Sequence, residues 1–104
     1  NWDIIMLYAM FATDIPDGVQ LWESLREQHV AFLQGAGDKV RTAGRTLDGD
    51  GGDPNGSFMI YEADSVAEVE TFLQGDPFVV NGLYQDVVIR PWMWVLGDGK
   101  PESA

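Results

Sequence analysis

Apolar and polar positions change period along the chain, and each change marks an element. Residues 4–12 form an unbroken apolar run of strand length, the pattern of a strand buried on both faces. Pro16 and Gly18 break it, and Asp14 and Asp17 suit the N-terminus of a following helix. From residue 19 to 34 the period becomes helical. Leu21, Trp22, Leu25, Phe32 and Leu33 share one stripe, while Glu23, Arg26, Glu27 and Gln34 fall elsewhere. Gly35 and Gly37 end that helix. Residues 39–46 read as a short strand, residues 47–56 as a mobile loop rich in Gly and Asp, and residues 57–63 as a clear strand. Ser65-Val-Ala-Glu68 has the spacing of a capping box. The helix it opens carries Val66, Val69, Phe72 and Leu73 on one face, and ends near Gly75 because Pro77 disfavours a helical Asp76. Residues 78–82 read as a short extra turn. Residues 83–95 read as a strand in which Pro91, lacking an N–H, marks a sheet edge or a bulge. Residues 97–104 are polar and expected to be disordered, which leaves residues 1–96 as one domain.

The resulting order, β-α-β-β-α-β, predicts an α+β, ferredoxin-like fold with an antiparallel sheet. Two helices cover only one face of such a sheet. Four Trp, five Phe and three Tyr in 104 residues are more aromatic surface than one small core needs. The second face is therefore expected to meet a second copy of the chain, as a homodimer or a higher assembly.

Charge narrows the partners further. Six Lys and Arg stand against 17 Asp and Glu, a net charge of −11. Such a field repels phosphate backbones and anionic lipid surfaces, so neither nucleic acid nor membrane is an expected partner. The run at residues 4–12 is too short to span a bilayer and has no basic stretch before it, so it does not read as a secretory leader. The absence of cysteine excludes disulfides and thiolate chemistry, and fits a cytoplasmic location. No metal site and no cofactor are predicted. Asp48-Gly-Asp50-Gly-Gly-Asp53 lacks the closing Glu of a calcium loop, and no phosphate cradle or nucleophile elbow is present.

Candidate chemistry centres on His29, the single histidine. It lies four residues after Leu25 and four before Leu33, on the apolar side of its helix or at its margin. Two readings are open: a core histidine satisfied by one hydrogen bond, or a proton-transfer group, since imidazole titrates near neutral pH. A carboxylate partner would fix its tautomer. Asp76 is the best-placed partner, although Asp-Pro is also an ordinary turn. Asp14 is either a helix cap or an acid at the carboxyl end of the first strand. Arg45 follows Gly44 at a strand end and can hold an anionic group. Tyr8, Tyr61, Tyr84 and the Trp residues are core or interface aromatics ahead of platforms for a substrate.

These pieces resemble a known family. Leu7-Tyr-Ala-Met-Phe-Ala12, Asp14-Ile-Pro16, Arg26-Glu-Gln-His29, Thr42-Ala-Gly44, Gly56-Ser-Phe-Met-Ile60, Asp76-Pro-Phe78, Gly82-Leu-Tyr84 and Val87-Val-Ile-Arg-Pro91 are similar to the YCII-related (YciI-like) proteins. The resemblance runs from about Met6 to Trp94. It implies a ferredoxin-like subunit that dimerises into an α+β barrel, with a site built on a His–Asp pair, here His29 and Asp76. It also implies kinship with muconolactone-isomerase-like enzymes and with proteins that break down substituted aromatic rings. The expected function is a cofactor-free enzyme in which His29 and Asp76 perform isomerisation or elimination on a small molecule. Arg45, Tyr8, Asp14 and Tyr84 are its candidate substrate-binding residues. The rival expectations are a non-catalytic small-molecule binder using the same pocket, and a purely structural His–Asp lock between helices. Two departures stand out: Arg45 replaces a usual proline after Ala-Gly, and Pro91-Trp-Met-Trp94 replaces Pro-Phe.

Overall fold

The computed structural model describes residues 5–101. Strand β1 (Leu7–Asp14) leads into helix α1 (Val19–Gly35), a 3-10 turn (Gly37–Lys39) and strands β2 (Val40–Leu47) and β3 (Pro54–Glu62). Helix α2 (Val66–Leu73), the one-turn helix α3 (Pro77–Val80) and strand β4 (Tyr84–Trp92) complete the order. Every strand pair is antiparallel, and the sheet order is β2-β3-β1-β4. This is the α+β, ferredoxin-like arrangement that the order of elements predicts.

Alternation along the strands divides the core in two. Tyr8, Met10 and Ala12 of β1 join Met59 and Tyr61 of β3 under Val69 and Leu73 of α2. Leu7, Ala9 and Ile60 form a separate cluster on the opposite face with Phe58 and Trp94. That second face carries no helix. Phe11, packed on Phe58 at 5.1 Å, is 47% exposed there. Val88 and Trp92 share its face, because they stand opposite Phe11 and Leu7 in the register. The expectation of burial on both faces therefore holds from Leu7 to Met10 and fails at Phe11. Ile4 lies outside the described residues.

Several local expectations need correction. The hydroxyl of Ser65 accepts from the Glu68 N–H at 3.1 Å, but Glu68 Oε2 accepts from Asp64 N–H at 2.6 Å rather than from Ser65. The box is closed one residue early, on the Asp64 N–H. Neither Asp14 nor Asp17 caps α1, whose N-cap is Gly18 with no side-chain bond. Val66 is exposed rather than packed with Val69. The loop is shorter than composition implied, since Pro54, Asn55 and Gly56 belong to β3. Gly56 is required in that strand: a Cβ there would lie 2.3 Å from the Ala12 carbonyl oxygen and 2.7 Å from Thr46 Oγ1. Strand β4 is an edge strand, as Pro91 allows, and the register shift falls at Thr13/Asp14 instead of at the proline. Residues 98–99 form a turn beside Trp94, whose Nε1 donates to the Leu96 carbonyl at 2.7 Å. Residues 102–104 lie outside the described residues. Among the described residues no helix is long and apolar enough to cross a membrane.

Candidate active site

Helix α1 is seated by Leu25, which is buried with Phe78 and Leu83. His29 follows one helical repeat later and so faces the same neighbour, α3. Helix α3 starts at Pro77 because a proline at the first position loses no hydrogen bond, and Asp76 caps it. Asp76 Oδ1 accepts from the Phe78 N–H at 2.9 Å. The same oxygen accepts from His29 Nδ1 at 2.7 Å. Asp76 thus fills both roles that its sequence allowed, turn residue and histidine partner.

The pair is shielded from water, with side-chain exposures of 12% for His29 and 1% for Asp76. The Phe78 ring stacks on the imidazole, with centroids 3.8 Å apart and planes within 10°. A hydrogen bond at Nδ1 and a ring against one face therefore hold the imidazole in place. A carboxylate only accepts, so Nδ1 carries the proton and Nε2 of the neutral ring offers its lone pair. Nε2 has no hydrogen-bond partner among the described residues. Asp76 Oδ2 is buried and unpartnered among the described residues. Burying that oxygen is costly, and the two donors at Oδ1 offset the cost only in part.

A second buried cluster lies nearby. Arg45 of β2 grips Asp14 with both of its terminal nitrogens and donates from Nη1 to Ser57 Oγ at 2.7 Å. The Tyr84 hydroxyl also donates to Ser57 Oγ, at 2.7 Å. The Arg45 guanidinium carbon lies 5.3 Å from the Phe78 ring centre and 5.8 Å from that of Trp22. Burial pushes the Tyr84 phenol well above its ordinary pKa, against a smaller opposing effect from the Ser57 hydrogen bond. Tyr84 is accordingly a neutral donor and not a base.

His29 and Arg45 both line a cavity of about 470 Å³ between α1 and the β2 edge. Trp22, Val30 and Leu33 form its helical wall, Ala43 and Gly44 its strand wall, and Phe78 closes it beside His29. Of the expected site residues, the fold brings His29 and Asp76 together and sets Arg45 at the same cavity. Asp14 and Tyr84 stand behind Arg45, in contact with it or with Ser57, and do not line the cavity. Tyr8, expected beside the substrate, is a core residue at 3% exposure and takes no part in the cavity wall. Its position on β1, a central strand under α2, puts it out of reach. Sequence reasoning ranked Trp22 as core or interface ahead of a platform, named Phe78 only within its Asp-Pro-Phe motif, and passed over Ser57. The register would have found Ser57, since it stands directly opposite Arg45.

Comparison with known proteins agrees with this fold. The YCII-related domain matches residues 6–93. The Escherichia coli protein YciI is 34% identical over 94 residues, covering 84% of this chain and 96% of that protein. A solved structure of 5-chloro-2-hydroxyhydroquinone dehydrochlorinase from Burkholderia phenoliruptrix, in complex with 2,5-dihydroxybenzoquinone, is 31% identical. It superposes with a TM-score of 0.78 over 92% of this chain and 100% of that one. A Pseudomonas aeruginosa protein, 17% identical with a TM-score of 0.55 over 92% of this chain and 99% of that one, shares the fold. The chain belongs to the YCII-related domain family.

Proposed function

We propose that this protein is an acid–base enzyme in which His29 Nε2 moves a proton on a small, ring-containing substrate while Asp76 orients the imidazole. The observation that carries the reading is the 2.7 Å bond from His29 Nδ1 to a buried Asp76, with the imidazole lining a cavity. The neutral ring takes a proton from a hydroxyl or an activated C–H, and Asp76 stabilises the imidazolium that results. The electron pair left on the substrate either collects the proton at another atom, which is isomerisation, or expels a leaving group as an anion, which is elimination. The similarity to a dehydrochlorinase of a chlorinated hydroquinone favours elimination from a hydroxylated ring.

The test is chloride release from 5-chloro-2-hydroxyhydroquinone by the wild type and by His29→Ala. Loss of release in a variant that keeps its far-ultraviolet circular dichroism supports the reading. Undiminished release sinks it.

The helix-free sheet face, with Phe11, Val88 and Trp92 exposed, is where a second copy would dock. Light scattering should give a dimer for the wild type and a monomer for Phe11→Glu, because a charge cannot be buried unpaired in such a contact.

A further inference from the structure

The cavity is too large for one ring. A cavity of roughly 150 Å³ is enough to bind benzene, whereas this one measures about 470 Å³. It also continues beyond its own walls. A neighbouring depression of about 450 Å³ shares Val30, Leu33, Gln34 and Ala43 with it and extends to Val40 and Gly37. His29 and Arg45 meet Phe78 at one end, and the oppositely charged Arg26 and Glu27 of α1 also line the cavity. Along the shared stretch the wall is Val30, Leu33 and Ala43, with the uncharged Gln34 at its side. Val30 is 49% exposed, an apolar side chain left uncovered beside the groove.

Arg45 sharpens the contrast. Its charge is already matched by Asp14, and its terminal nitrogens are engaged by Asp14 and Ser57. It therefore adds no net charge, and Arg26 and Glu27 offset each other, so the lining suits a neutral hydroxyl better than a carboxylate or phosphate.

We infer that the substrate is a neutral hydroxylated ring bearing an apolar arm, a second ring or a short hydrocarbon chain, that lies in the groove between α1 and β2. This inference rests on the acid–base reading for the placement of the hydroxylated ring at His29. Burying an apolar arm there releases its hydration water, and the gain scales with the area covered.

Calorimetric titration under argon with hydroquinone and phenylhydroquinone as probes tests it. The wild type should bind phenylhydroquinone at least about tenfold tighter than hydroquinone. In Ala43→Trp, which fills the groove, the ratio of the two affinities should fall to about one. Val30→Glu, at an exposed helix position that tolerates a charged residue, should lower the same ratio and keeps the test standing if the tryptophan variant misfolds. A ratio near one in the wild type, or a ratio unchanged in a folded variant, overturns the arm site. If the ratio behaves as expected while His29→Ala still releases chloride, the arm site stands and the acid–base reading falls. If the ratio is near one while His29→Ala is inactive, the arm site alone falls.

Discussion

Asp14 and Asp76 are both buried carboxylates, 6% and 1% exposed, yet their partners put them to different uses. Asp14 faces a guanidinium, which stays charged at any physiological pH and spans both carboxylate oxygens. That pairing is closed: it ties β1 to β2 across β3 and engages both carboxylate oxygens. Asp76 faces an imidazole, which can carry one proton or two, and engages it through Oδ1 only. That pairing is open, because the second ring nitrogen is left over at a cavity. Two buried carboxylate pairings thus divide into a structural clamp and a candidate proton-transfer pair. What separates them is the chemistry of the nitrogen partner and a second ring nitrogen with no partner among the described residues.

The comparison breaks most visibly in His29→Gln, whose amide can still donate to Asp76 but cannot take a proton. Turnover should fall by about 10²–10⁴-fold, the usual contribution of a general base, measured as chloride release. Its denaturant midpoint should stay close to that of the wild type. Equal loss of stability and turnover would assign the pair to structure alone. Asp14→Ala should do the reverse. It strands a buried guanidinium and should cost about 3–5 kcal/mol of unfolding free energy by urea titration, while any remaining folded protein keeps its proton chemistry. A stable Asp14→Ala protein would overturn the clamp.

Tyr84→Phe tests the smallest difference. Losing the hydrogen bond to Ser57 should cost about 1 kcal/mol. The variant should also alter the alkaline limb of stability. Burial raises the Tyr84 pKa above its ordinary value of about 10. The unfolded chain therefore loses that proton first as pH rises. The contribution is complete below pH 10 and declines above it. Unfolding free energy of the wild type should accordingly drop more steeply above pH 10 than that of Tyr84→Phe. Identical slopes would place the phenol in a solvated environment.

Local signals in the sequence served the elements well and the site unevenly. Helix α1 was legible from its stripe, α2 from Ser65 and Glu68, and α3 as a turn after Pro77, because each depends on neighbours within one or two helical turns. The hairpin loop was overestimated since Gly56 looks like a turn residue. Its reason for being glycine is the Ala12 carbonyl pressed against it from β1, a contact that no local pattern records. His29 and Asp76 were named as a pair through the resemblance. Periodicity placed His29 only on the apolar side of its helix. Tyr8 stayed open between core and platform because an aromatic in a strand reads the same whether a helix or a ligand covers it.

By itself the sequence determined the order of elements, the antiparallel α+β class, the strongly acidic charge and the short list of groups able to move a proton. These follow from short-range rules: period, capping, turn chemistry and composition. Tertiary structure alone decided that one oxygen of Asp76 meets His29 across 47 residues of chain. It also decided that Arg45 is matched by Asp14 and that Tyr8 is core while Trp22 is cavity wall. Those outcomes depend on how α1 and α3 close over a sheet whose register brings distant residues side by side. The contacts that select them act between elements, so no window along the chain contains both partners.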